Sequence, residues 1–258
     1  MNIVVCVKLV VDTEAEKRLD PGSWCLDRSV NCILNPYDEY AVEEALLIKE
    51  AAGGEVTVLC MGPDDATDAV RKALAMGADN AVLVTDPALA GSDAQATAAV
   101  IAAALKTVAC DLALFGLRST DGETGAVPAA VAELLGLPLL SALSKVEVDG
   151  GTLRVHRETD EGYVAYACPT PAVISVVKGI NEPRYPSMKG IMTAKKKPIA
   201  RHDVAGLGLD ATSVGLAGAS TRVLSASVPP PRAAGVKIED DGSGAQQIAD
   251  FLTSAKLV

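Results

Sequence analysis

Aromatic side chains are scarce in this chain of 258 residues, at 3 % of the total with two Phe and one Trp. The core must therefore be built from Ala, Val, Leu and Ile, which suits a buried parallel sheet wrapped by Ala-rich helices. Histidine is scarcer still: His156 and His202 are the only two, too few for an ordinary zinc site. The six cysteines, Cys6, Cys25, Cys32, Cys60, Cys110 and Cys168, form no CxxC pair. Cys6, Cys60 and Cys110 fall within or at the end of apolar runs, where cysteine acts as a small hydrophobe. No run approaches the apolar length that spans a membrane. The opening MNIVVCVKLV lacks the basic flank and cleavage site of a signal peptide and reads as a first strand. These absences point to a soluble protein of the cytoplasm or of an organelle matrix. Positive charge is also short, with 23 Lys+Arg against 33 Asp+Glu. A net charge of −10 argues against nucleic acid as the main partner.

What is present is a repeated alternation of strand and helix. Ile3–Val11 is a β-branched run expected as one buried strand, and residues 12–34 read as irregular, with a turn at Pro21-Gly22. Asn35-Pro36 opens a helix that Gly53-Gly54 closes, with Asn35 in the capping position. Val56–Cys60, Ala81–Val84 and Leu112–Phe115 follow as strands, separated by helices that end near Met76, Thr107 and Leu135. This rhythm implies a doubly wound parallel sheet, that is, a Rossmann-like α/β fold. After Pro138 the period changes to two, around turns at Asp149-Gly150-Gly151 and Asp160-Glu161-Gly162, as in an antiparallel hairpin or meander. Ala172–Val177 is one more buried strand. Residues 201–235, rich in Gly, Ser, Ala and Pro, read as an extended arm, and a helix over about 246–257 closes the chain.

In an open parallel sheet, ligands bind beyond the carboxyl ends of the strands. Four segments meet there: Cys6–Lys8 with Asp12 and Thr13, Asn35–Asp38, Met61-Gly62-Pro63, and Gly116–Val127. The last, GLRSTDGETGAV, combines glycines with hydroxyls and opens a helix, the ingredients of a phosphate cradle. It matches neither GxxxxGK[ST] nor GxGxxG. The plainer reading is a helix start capped by Ser119 or Asp121, and both readings stand at this level. Asp38, Glu39, Glu43 and Glu44 read as first-turn acids and the solvent face of their helix. No Ser, His and acid suggest a catalytic triad, so no catalytic residue is assigned. The chain is expected to hold a nucleotide without reacting it.

A second feature is NEPRYPSMKGIMTAKKK at 181–197. It carries Arg184, Lys189 and Lys195–Lys197 against the single acid Glu182, and it is broken by Pro183, Pro186 and Gly190. Tyr185, Met188, Ile191 and Met192 lie between the breaks. Apolar residues set in charge opposite to the rest of the molecule suggest a docking loop. The alternative is a connector tucked onto the core.

With these residues assembled, the chain resembles the β subunit of electron transfer flavoproteins, the family that includes the FixA proteins. The likeness runs from VVCVK through NPYDEYAVEEAL, ALAMGAD and DGETG to NEPRYPSMKGIMTAKKK and the late VGLAGAS…PPPRAAGVKIED. STDGETGAVPAAVAELLGLP is most similar to the actinobacterial branch. The resemblance implies a heterodimer with an α subunit that holds most of one redox-active FAD. It also implies an adenine nucleotide in this chain: a structural AMP, or a second FAD reduced by NADH in electron-bifurcating members. Their DGDTAQVGP and VPD signatures are replaced here by DGETGAVP and Val10-Val11-Asp12, which inclines the reading to AMP. The partners implied are acyl-CoA or related flavin dehydrogenases and a membrane quinone oxidoreductase, with no direct membrane insertion. A stand-alone nucleotide-binding regulator is the alternative from another class, and it leaves the 181–197 segment unexplained.

Carried over by position, Cys6, Asn35, Pro36, Tyr37, Asp38, Met61 and Gly62 would surround the nucleotide. The loop of Leu117, Arg118, Ser119, Thr120, Asp121, Gly122, Glu123, Thr124, Gly125, Ala126 and Val127 would hold its phosphates. Asp12 and Thr13 would also be cofactor-binding, Thr13 standing where mitochondrial-type members place a Tyr near the FAD. Tyr185, Pro186, Met188 and Ile191 would dock the dehydrogenase, with Met188 in the place of an anchoring Leu. Residues 1–198 would then form the nucleotide-binding domain, and 199–258 an arm packing on the α subunit.

Overall fold

The computed structural model describes every residue except Ser23, Val228, Pro229, Arg232–Ala234 and Val236. The expected tri-proline run at 229–231 therefore lies partly outside the described residues. Residues 1–223 and 224–258 form two separate compact units.

The first unit is built on a nine-stranded sheet. Its strands in chain order are β1 (Asn2–Val7), β4 (Glu55–Met61), β5 (Asn80–Val84), β6 (Leu112–Gly116), β7 (Leu139–Asp149), β8 (Thr152–Thr159), β9 (Gly162–Pro169), β10 (Ala172–Val176) and β11 (Ala200–His202). They lie in the order β11-β5-β4-β1-β6-β10-β7-β8-β9. All pairs from β11 to β7 are parallel, and β7-β8-β9 is an antiparallel meander. The expected doubly wound sheet with an antiparallel addition is thus present.

Alternate residues of β1 feed opposite faces, as the two-residue period of a strand demands. Ile3, Val5 and Val7 join a layer formed with α1 (Pro36–Ala52) and α2 (Thr67–Met76). Val4 and Cys6 join the opposite layer with α3 (Ala94–Leu105) and α4 (Val127–Leu135). Small side chains such as Ala41, Ala45, Ala69 and Ala73 let the helices approach the sheet closely, which is how a chain with few aromatics closes its core.

The structure departs from the sequence reading in several places. Ile3–Val11 is not one strand. β1 ends at Val7, and Leu9–Val11 (β2) pairs antiparallel with Cys32–Leu34 (β3). The Lys8 N–H donates to the Asp38 carboxylate rather than to a neighbouring strand, and the ladder stops there. Residues 201–223 are not a free arm. β11 adds to the sheet edge beside β5, and Val204 and Val214 are buried. Asp93, the N-cap of α3, also accepts hydrogen bonds from the N–H groups of Ser220 and Thr221, tying down that stretch.

Residues 181–197 are not wholly a loop. Met188–Lys196 is a helix, α5, capped by Ser187, whose Oγ accepts from the Gly190 N–H at 3.0 Å. Gly190 is no break. A Cβ there would sit 2.5 Å from the carbonyl oxygen of Ala75, so the glycine lets α5 lie against the last turn of α2. After the four-residue helix α6 (Gly215–Gly218), the second unit contains α7 (Gly244–Ser254), which starts and ends before the expected 246–257. Its Ile248 and Phe251 are exposed.

Candidate functional site

At the carboxyl ends of β1 and β6, three segments are knitted together around Asn35 and Asp38. Asn35 stands at the N-cap of α1 as expected, but its side chain makes no capping hydrogen bond. Its side chain, 1 % exposed, reaches sideways instead. Nδ2 donates to Asp38 Oδ1 at 2.8 Å and to the Arg118 carbonyl at 3.0 Å, while Oδ1 accepts from the Thr120 N–H at 3.2 Å. Asn35 thereby fixes the β6–α4 loop to the start of α1. Asp38 completes the knot, its Oδ2 accepting from the Lys8 N–H at 2.8 Å. A Cβ on Gly116 would come 2.5 Å from Asp38 Oδ1, so only glycine allows β6 and α1 this approach.

Burial raises the Asp38 carboxyl to about 7 from 3.8, overcoming the hydrogen bonds from Asn35 and Lys8 that favour its charged form. Between those values the folded state holds a proton that the unfolded state has released, so stability falls as pH rises through this window. The contribution is on the order of 4 kcal/mol at most. In urea unfolding at pH 5 and pH 7.5, the native chain should lose more stability across the interval than Asp38→Asn. Parallel losses would show that Asp38 does not titrate there.

The β6–α4 loop is not a side-chain-capped helix start, which removes the plainer reading. No side chain caps α4, whose N-cap position is Ala126, and Pro128 brings no N–H to the first turn. Ser119 Oγ accepts from the Gly122 N–H within its own loop, at 3.4 Å, and its hydroxyl also bonds the Asp121 carboxylate rather than the helix. Asp121 reaches away from the helix: Oδ1 accepts from Lys8 Nζ at 2.8 Å and Oδ2 from Arg28 Nη2 at 2.5 Å. Burial pushes its carboxyl up, but the Lys8 charge and the hydrogen bonds from Lys8 and Arg28 prevail and hold it well below the carboxylate range. Glu123 takes a left-handed φ of 53° and Gly125 one of 61°, folding the loop back on itself. Gly122, Glu123, Thr124, Gly125 and Ala126 are exposed, while Leu117 and Val127 are half-buried. The Thr120 hydroxyl is buried and has no hydrogen-bond partner among the described residues, a polar atom left for something else.

Other residues singled out from the sequence stand differently. Arg118 lies over the Tyr37 ring at 5.6 Å. Cys6 is buried, and burial raises its thiol well above its ordinary value, so it packs without acting as a nucleophile. Pro36 opens α1. Met61 ends β4, and the Gly62 N–H donates to the Val84 carbonyl. Asp12 binds the Glu14 N–H and the Asn31 side chain, and Thr13 is exposed; neither joins the Asn35–Asp38 knot. Sequence reasoning missed Arg28, which lay in a stretch read only as irregular.

A second arrangement holds residues 181–197. Glu43 and Glu44, expected on the solvent face of α1, are 4 % and 6 % exposed. Glu43 is gripped by Arg184, whose N–H, Nε and Nη2 all donate to it at 2.8 to 3.1 Å. Arg184 Nη1 also reaches Glu50 at 2.6 Å. Asn181 Nδ2 donates to Glu44 at 2.9 Å. At the other end of the segment, Arg71 Nη1 donates to the Lys197 carbonyl at 2.6 Å. Between these anchors Tyr185, Met188 and Met192 are 96 %, 76 % and 63 % exposed, and Ile191 is partly so. Pro186 leads into α5 from the same stretch. The alternative of a connector whose Tyr and Met tuck inward does not hold.

The fold and these strand-end loops define a Rossmann-like α/β protein with a large antiparallel addition. Residues 23–207 match the electron transfer flavoprotein domain family. The chain is 48 % identical to the electron transfer flavoprotein subunit beta of Mycobacterium tuberculosis strain H37Rv, with 100 % of this chain and 99 % of the relative covered. It is 46 % identical to that of Mycobacterium leprae over the same shares, and 39 % identical to that of Megasphaera elsdenii over the full length of both. The chain belongs to the β-subunit family of electron transfer flavoproteins.

Proposed function

We propose that this chain pairs with an electron transfer flavoprotein α subunit in the cytoplasm. Together they carry electrons from acyl-CoA or related flavin dehydrogenases towards a membrane quinone oxidoreductase. The redox-active FAD is held mainly by the α subunit, and the chain itself holds an adenine nucleotide, AMP, as a structural element. The proposal gives residues 1–198 the nucleotide and the docking segment, and 199–258 the contact with the α subunit. No helix among the described residues is long and apolar enough to cross a membrane, so the quinone oxidoreductase is met from the water side.

The observation that carries this reading is the clamped, outward-facing apolar set on and before α5. An exposed cluster of Tyr185, Met188, Ile191 and Met192 is unfavourable in isolation. Here it is fixed by the ion pair of Arg184 with the buried Glu43 and edged by Lys189, Lys195 and Lys196 on an acidic chain. Large apolar anchors within a charged rim are what a transient protein interface uses. Gly190 touches the last turn of α2, which runs back to the amino end of β5. The docking helix and the strand-end loops therefore serve different ends of the sheet, and a partner can seat on one without covering the other. The Thr120 hydroxyl, buried and unpartnered, supports a ligand at the second.

Met188→Ala tests the docking role. In the purified heterodimer it should raise the KM for transfer from an acyl-CoA dehydrogenase about 10- to 30-fold, the loss of one interface anchor. Flavin content and melting temperature should not change, because the side chain is 76 % exposed. Loss of flavin with unaltered transfer kinetics would reject the docking assignment.

A further inference from the structure

Lys8, Arg28 and Asp121 come from three separate parts of the chain: the end of β1, the 12–31 segment and the β6–α4 loop. The carboxylate of Asp121 is almost wholly covered, its side chain 4 % exposed, whereas Lys8 and Arg28 retain 43 % and 35 %. Asp121 also accepts the Gly122 N–H at 2.7 Å, so its acceptors are filled from inside the protein. One carboxylate takes a hydrogen bond from each of two cations, and both cations keep part of their side chains open to solvent. Arg28 spends one N–H on Asp121 and one on the Leu9 carbonyl at 3.2 Å, which among the described residues leaves three of its five donors. The same loop carries the buried, unpartnered Thr120 hydroxyl.

We propose that Arg28, together with Lys8, binds the phosphate of the nucleotide held by this chain, so that the site selects a phosphorylated adenosine over the free nucleoside. The inference rests on the nucleotide reading above and adds the residues that read the charge. Asp121 holds both cations in place. It also ties Arg28 to the β6–α4 loop, so that this residue belongs to the site. Arginine suits the task because its planar fork can bind a carboxylate and a phosphate oxygen at once.

The test uses the purified heterodimer, depleted of nucleotide by exhaustive dialysis and titrated calorimetrically with AMP and with adenosine. Arg28→Ala should weaken AMP about 10- to 100-fold, the usual loss for one charge-assisted hydrogen bond. Adenosine affinity should not move. Arg28→Gln, which keeps most of the side-chain length, should behave similarly and guards against a folding defect. Arg18→Ala in the same segment, where Arg18 pairs only with exposed Glu16, should change neither affinity. Equal weakening of AMP and adenosine in both Arg28 variants would make the residue structural and overturn the inference. So would unchanged AMP binding. A native heterodimer that binds neither ligand would instead remove the nucleotide reading, and this inference with it.

Discussion

Arg184→Ala is expected to lower the stability of the chain by about 3 kcal/mol, the cost of leaving a buried carboxylate without its partner. Glu43 is 4 % exposed, and among the described residues its cation contacts all come from Arg184. Removing the guanidinium leaves Glu43 with only the main-chain N–H of residue 184, so the 183–187 backbone is held less firmly. Faster hydrogen exchange should follow at residues 183–187, with a fall in melting temperature. Transfer from the dehydrogenase should drop even though Met188 is untouched, because the anchor loses its fixed position. Arg184→Lys should fall between, as an ammonium keeps the charge but cannot reproduce the fork that bridges Glu43 and Glu50. A variant with native melting and exchange would show that the clamp does not hold the segment.

Gly116→Ala is the second large expectation. A Cβ there would meet Asp38 Oδ1 at 2.5 Å, the Tyr37 carbonyl carbon at 2.7 Å and its oxygen at 2.8 Å. Two of these atoms are backbone and cannot swing aside. The first turn of α1 must move, and the Asp38 bond to Lys8 and the Asn35 bonds to the loop move with it. A loss of about 2 to 3 kcal/mol is expected from the overpacking. Bound nucleotide should be lost from the purified complex. Gly235→Ala is the control: that glycine is exposed, and a Cβ there would meet nothing within 4 Å. It should be tolerated. Equal effects at the two positions would mean that the close approach at Gly116 does not organise the site.

The parallel sheet was legible because strands buried on both faces read as apolar runs, as in Val56–Cys60 and Leu112–Phe115, and the meander because its pattern switches to period two. The elements that escaped are those decided by distant contacts. Nothing local marks the end of β1 at Lys8 within an apolar run; the cause is a carboxylate 30 residues later. Helical periodicity puts Glu43 on a polar face, and only Arg184, 141 residues on, buries it. Gly190 looked like a break because its reason, the Ala75 carbonyl, lies on another helix. β11 is three residues long with Arg and His in it, a short charged strand of the kind that blunts a sheet edge and carries little apolar signal. The strand-end segments were found from topology, but the reach of Asn35 and Asp121 across them was not. Both are ordinary capping residue types, and capping was the local reading. Arg28 had no signal at all beyond its charge.

The separation of a docking end from a nucleotide end has its most direct test in the nucleotides released by denaturing the purified heterodimer. One FAD and one AMP per heterodimer are expected, with Gly116→Ala losing the AMP and Met188→Ala retaining both. Two FAD, with flavin reduced by NADH, would contradict the AMP assignment in favour of an electron-bifurcating subunit. FAD with no second nucleotide would contradict the strand-end site itself.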